Sequence, residues 1–111
     1  IPMIWVGGAV KQPRRIEQVC NQTDLPATLM GQLGLNHSHF TFSRDVLSKN
    51  YTQQFAINTY TEGFSVTDSA GYVNYDLIGD RICVKQGRNI DLLLKRGRAI
   101  LQAASIDLDK R

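Results

Sequence analysis

His37 and His39 stand one residue apart in Asn36-His-Ser-His39, a spacing that tempts a metal reading. A zinc-type site needs three or four ligands, and no nearby Cys or carboxylate in the sequence completes one, so the segment reads as a polar loop. Arg44 and Asp45 follow and read as residues serving that loop. No Ser/His/Asp or Cys/His set has supporting spacing for nucleophilic catalysis. Thr23 and Thr28 are explained as helix-cap and helix-face residues. Gly7-Gly8 closes an apolar run, but Gly-Gly-Ala-Val-Lys lacks phosphate-loop spacing, so it reads as a turn. The sequence therefore offers no catalytic, cofactor-binding or metal-binding residues of its own.

Two cysteines, Cys20 and Cys83, allow one disulfide. Sequence does not say whether their Cα atoms come within about 7 Å. Free cysteine behaves as a small hydrophobe, which favours two separate buried thiols. The net charge of +3 is spread out, apart from Lys95-Arg96-Gly97-Arg98 and residues 11–15. A nucleic-acid surface shows a denser basic patch with stacking aromatics, so no nucleic-acid partner is expected. Sequons at Asn21, Asn36 and Asn50 matter only on a eukaryotic secretory route.

The elements that would position these residues are legible by period. At 111 residues the chain is at most one domain, with 42% hydrophobic and 21% charged residues. No apolar run approaches the roughly 18 residues needed to span a bilayer. Residues 1–6 are continuously apolar, as in a strand covered on both faces of a parallel sheet. Asp24 or Thr23 can N-cap a helix with Pro26 in its first turn. Leu25, Leu29 and Leu33 make one apolar stripe along it, which predicts a buried helix. Gly34 suits the left-handed position past its end, with Leu35 packing back.

Residues 54–61, 64–67, 72–77 and 81–84 alternate with period two, separated by Glu62-Gly63, Asp68-Ser-Ala-Gly71 and Gly79-Asp80. This predicts an antiparallel meander with one buried face, Val73, Tyr75 and Leu77 sharing a side. Asn89 can N-cap a last helix. Ile90, Leu93, Leu94, Gly97, Leu101, Ala104 and Leu108 supply its apolar face, and the helix should cover the meander.

Gln22-Thr-Asp-Leu-Pro-Ala-Thr-Leu-Met-Gly-Gln-Leu-Gly34 resembles the "QxDLxPTLLxLLG" segment of the sulfatase and alkaline-phosphatase superfamily. Phe42-Ser-Arg-Asp-Val-Leu47 resembles the "FxRDLL" stretch that follows it, and Ile1-Pro-Met-Ile-Trp-Val-Gly7 the "IPxIxxG" strand that precedes it. The order is the family's, and the nearest subgroup is the lipoteichoic-acid-synthase-like sulfatases. Ala27 departs from the pattern by standing where proline is usual.

The resemblance implies an α/β parent (α+β in this piece) with residues 1–50 at the C-terminal edge of the catalytic domain. Residues 51–111 would form a small antiparallel sheet plus terminal helix, and Arg44-Asp45 would anchor its loop to the catalytic domain. It implies a threonine nucleophile beside a divalent metal, both in segments preceding Ile1. Cys20-Asn-Gln-Thr-Asp does not match the family's alternative C/S-x-P-x-R nucleophile signature. The chain begins inside an apolar run without an initiator Met, and so reads as the C-terminal part of a membrane-anchored, outward-facing bacterial enzyme. Its expected partner is the rest of that catalytic domain, and alone it should self-associate. The competing reading is a stand-alone module for an anionic glycan or polymer, using Tyr60, Tyr72 and Tyr75.

Overall fold

A computed structural model describes residues 2–8 and 10–111. It is an α+β arrangement. A 3-10 turn, Gln22–Asp24, leads into helix α1, Leu25–Gln32. Strands β1 (Phe55–Tyr60), β2 (Gly63–Asp68), β3 (Gly71–Asp76) and β4 (Arg81–Gly87) follow, and then helix α2, Ile90–Asp109. The strands pair in chain order as one antiparallel meander.

The meander forms where the alternation placed it, and aspartates set two of its turns. Asp68 Oδ1 accepts the N–H groups of Ala70 and Gly71, both at 2.8 Å. Asp76 Oδ1 accepts those of Ile78 (2.9 Å) and Gly79 (3.0 Å). The Gly79 hydrogen bond leads the effects that hold the Asp76 carboxyl below its usual range.

Paired residues share a face. Phe64 lies opposite Tyr75 and Val66 opposite Val73, and all four are buried with Leu93 of α2. Phe55, Ile57, Ile90, Leu94 and Leu101 close the margin of this core. Gly97 lets the helix sit directly on the sheet, because a Cβ there would collide with the Phe64 ring and Val66. Beyond Leu101 the helix runs past its cover. Ala104 is exposed and Leu108 is 72% exposed, so the apolar face expected through those two residues is only partly used. Leu77 also lies outside the core, just past the end of β3.

α1 ends as its sequence requires. Gly34 takes φ +68°, and the N–H groups of Gly34 and Leu35 bond to the carbonyls of Gly31 and Met30. This double closure satisfies two orphan carbonyls of the last turn.

Other expectations fail here. Residues 2–6 join no strand, and Ile1 lies outside the described residues. Ile4 and Val6 are 83% and 86% exposed, because none of the described residues lies beside them to pair with or cover them. The Leu25, Leu29 and Leu33 stripe is exposed rather than buried, and α1 packs instead through Ala27 and Thr28. Asp24 occupies the N-cap position of α1 but makes no side-chain cap bond. At α2, Asn89 is the N-cap residue in a left-handed conformation (φ 61°), again without a side-chain cap bond. The radius of gyration, 15.7 Å, exceeds the roughly 13 Å typical of a compact chain this long.

Candidate functional site

The densest polar arrangement joins the start of α1 to the loop after it. The Asp24 carboxylate is 1% exposed, deep enough that an unpaired charge would be costly. Arg44 meets it fork to fork: Nε donates to Oδ1 at 2.9 Å and Nη2 to Oδ2 at 2.6 Å. Two backbone amides complete the shell, Arg44 N–H to Oδ1 (3.0 Å) and Asn21 N–H to Oδ2 (2.9 Å). The remaining guanidinium donors reach the carbonyls of Gln53 and Phe55, each at 2.9 Å. Thr28 adds a second tie. Its hydroxyl contacts the carbonyls of Asp24 (2.6 Å) and Arg44 (3.2 Å) and accepts the Val46 N–H at 3.0 Å. Ser43 Oγ accepts the Ala27 N–H at 2.9 Å.

This lock reaches the sheet. Asn21 Oδ1 accepts the Ile57 N–H of β1 at 2.7 Å. The Phe55 ring lies 4.1 Å from the Arg44 guanidinium carbon and 4.6 Å from that of Arg96 on α2. Phe55 thus touches a cation from each side of the molecule.

Beside the lock lies an open polar cavity of about 450 Å³, bordered by His37, Arg44, Asp45, Ser48, Tyr51 and Gln53 among others. His37 Nε2 stands 3.9 Å from Asp45 Oδ2. His39 lies against Phe40, ring centroids 4.1 Å apart and tilted by 37°, and does not border the cavity that His37 lines. Asp45 also accepts the Leu47 N–H at 3.0 Å and lies against Gly31. Tyr51 donates to the Val19 carbonyl at 2.7 Å, and burial pushes its pKa up to about 12, so the phenol stays protonated at neutral pH. Among the described residues no three His, Cys, Asp or Glu side chains gather around one point as metal ligands would.

The other singled-out residues are scattered. Cys20 and Cys83 are free and separate, but both residues are exposed rather than buried. Partial desolvation of the Cys20 thiol, followed by the Asp24 charge, raises its pKa. Tyr60 and Tyr72 lie on the open face of the sheet, whereas Tyr75 is on the opposite face, buried against Phe64. Tyr75 bonds to Asp80 and Arg98, and the Asp80 bond leads the effects that raise its pKa. Within the basic run of α2, Lys95 is exposed, Arg96 rests on Phe55 and Arg98 on Tyr75. Asn21 is committed to β1, while Asn36 and Asn50 are exposed.

Sequence reading missed the Asp24–Arg44 pair because 20 residues separate its members. The available signal was an acid at a helix start and an arginine in the loop after that helix. The arrangement holds backbone in place: the hydroxyls of Thr28, Ser43 and Tyr51 are each engaged with main chain.

No protein-family model, curated protein or solved structure matches the chain. Among the described residues, no helix is long and apolar enough to cross a membrane.

Proposed function

We propose that this chain is a scaffolding, C-terminal part of a sulfatase-like hydrolase or phosphoglycerol-type transferase acting on sulfate or phosphate esters. The observation that carries the reading is the uncovered leucine stripe of α1. The helix is closed at one end by a double backbone bond and locked at the other by a buried ion pair. Yet Leu25, Leu29 and Leu33 are 37%, 45% and 60% exposed. A helix so well fixed, with its apolar side in water, is half of an interface. In this reading residues 1–50 complete the parent α/β domain, and residues 1–6 become a strand of its sheet. The nucleophile and the divalent metal with its ligands belong to the preceding segment, and the intact protein is membrane-anchored with that domain outside the cytoplasm.

Reading the coding sequence immediately upstream of Ile1 tests this. An acidic and histidine metal-ligand set followed directly by this chain supports the reading, and a reading frame without one overturns it. Light scattering gives a second test. The isolated chain should self-associate, and Leu29→Gln with Leu33→Gln should return it to monomer. A wild-type monomer at high concentration counts against an unfilled interface.

The alternative, a binding module for an anionic glycan or polymer, has only Tyr60 and Tyr72 on a common open face. Specific retention of the chain on a polyanion array, lost in Tyr72→Ala, would favour it.

A further inference from the structure

The two edges of the sheet are treated differently. On β1 two of the outward backbone groups are taken up by side chains: the Ile57 N–H by Asn21 and the Phe55 carbonyl by Arg44. From Phe55 to Ile57 that edge is blocked to another strand. β4 is the other edge, and all seven of its residues are exposed.

Hydrogen-bonding direction alternates along a regular antiparallel strand, so the outward groups of β1 fix the direction across the sheet up to the register shift between Asn74 and Tyr75, which leaves Cys83 as an extra residue on β4. Ile57 faces away from β2, so its partner Val66 faces β3. Val66 pairs with Val73, which places Asn74 toward β4 and its partner Val84 toward β3. The N–H and C=O of Lys85 therefore point away from the sheet.

The surroundings of this edge define what fits it. An open groove of about 710 Å³ separates β4 from the first turn of α2, with Ile82 and Lys85 on one wall and Ile90, Asp91 and Leu92 on the other. Residues 81–90 contain Arg81, Lys85 and Arg88 and no carboxylate, and Asp91, on the helix wall, is the one acid among the described residues that border the groove. Arg81 reaches Asp76 at 3.4 Å, which leaves Lys85 and Arg88 as the cations available at the edge. A second copy of β4 brings the same cations and adds repulsion.

We propose that the open edge of β4 recruits an extended, carboxylate-bearing polypeptide segment by strand addition. The main chain of that segment pairs with Lys85 and its neighbours. Its apolar side chains enter the groove beside Ile82 and Leu92, and a carboxylate meets the Lys85 ammonium. Backbone pairing supplies affinity and the groove supplies selection. This inference does not depend on the parent enzyme.

The test uses the full chain and a fluorescein-labelled peptide, Val-Thr-Glu-Thr-Val-Thr-Val, whose carboxylate and three valines share one strand face, read by anisotropy, with Val-Thr-Lys-Thr-Val-Thr-Val and a proline-substituted peptide as controls. The glutamate peptide should bind and the controls should not. Lys85→Pro removes one outward donor without touching the β3 ladder, and should weaken binding by about tenfold or more. Lys85→Glu keeps the backbone and should shift preference to the lysine peptide. Amide exchange in β2 and β3 reports whether each variant is folded, and if the proline variant is not, the charge reversal decides. Absence of glutamate-peptide binding, binding indifferent to Lys85→Glu, or a wild-type dimer that Lys85→Glu strengthens would each overturn the proposal, the last by making a second copy the occupant.

Discussion

Around α1, a carboxylate, a guanidinium and three hydroxyls hold main chain together, and among the described residues the buried apolar side chains there are Ala27 and Val46. Around β2 and β3, Phe64, Val66, Val73, Tyr75 and Leu93 fill one core under a helix brought close by Gly97. The first region is specified by direction and the second by shape. A hydrogen-bonded lock places loops accurately but removes little apolar surface from water. Each large buried side chain in the second region contributes about 1.5–3 kcal/mol relative to exposure. The first region is therefore expected to be ordered but fragile, and the second to outlast it.

The strongest challenge to this contrast is Arg44→Ala, which leaves the Asp24 carboxylate buried without its partner. The expected cost is about 3–5 kcal/mol, concentrated in residues 21–53. Amide exchange should show those residues losing protection while β2 and β3 keep theirs. Uniform loss would mean that the halves are one cooperative unit. Arg44→Lys should recover little, since an ammonium cannot reproduce the two-pronged contact.

Gly97→Ala attacks the other half. The added methyl meets the Phe64 ring and Val66, with an expected loss of about 1–3 kcal/mol seen as a lower thermal midpoint. Protection in α1 should fall less than in α2. Thr28→Val is smaller still. It keeps the shape of Thr28 but strands the Val46 N–H, and should cost about 1–2 kcal/mol in the first region alone, measured by denaturant titration.

The mildest test is pH. The folded pKa of Tyr51 is raised above its ordinary 10 to about 12. Its contribution is therefore complete below pH 10 and is lost as pH climbs toward 12. Ultraviolet titration should place one tyrosine near 12, with the first region loosening over that window. Tyr51→Phe should remove the high-pH loss.

Much of the second region was legible in the residues. Strict alternation gave four strands in order, Asp68-Ser-Ala-Gly71 and Gly79-Asp80 marked two of their turns, and the spacing from Ile90 to Leu101 gave the covering helix. The same pattern overran at Ala104 and Leu108, because period reports which side is apolar and not how far the cover extends. The first region resisted for a related reason. Gly34 and Pro26 act within a few residues, so their roles could be read. The Asp24–Arg44 contact spans a loop that no local rule closes, and the burial of Leu25, Leu29 and Leu33 depends on neighbours this chain does not supply. Cys20 and Cys83 were misjudged alike, since a thiol's apolar character does not decide whether its site lies under anything.

Phe55 carries a mechanical implication. Its ring is gripped by a cation from the loop and by another from the last helix, where the two regions meet. Shear between them would load that ring together with the hydrogen bonds from Asn21 and Arg44 to β1. Trimming it to leucine removes both cation contacts and leaves those bonds as the remaining pins, turning a rivet into a hinge.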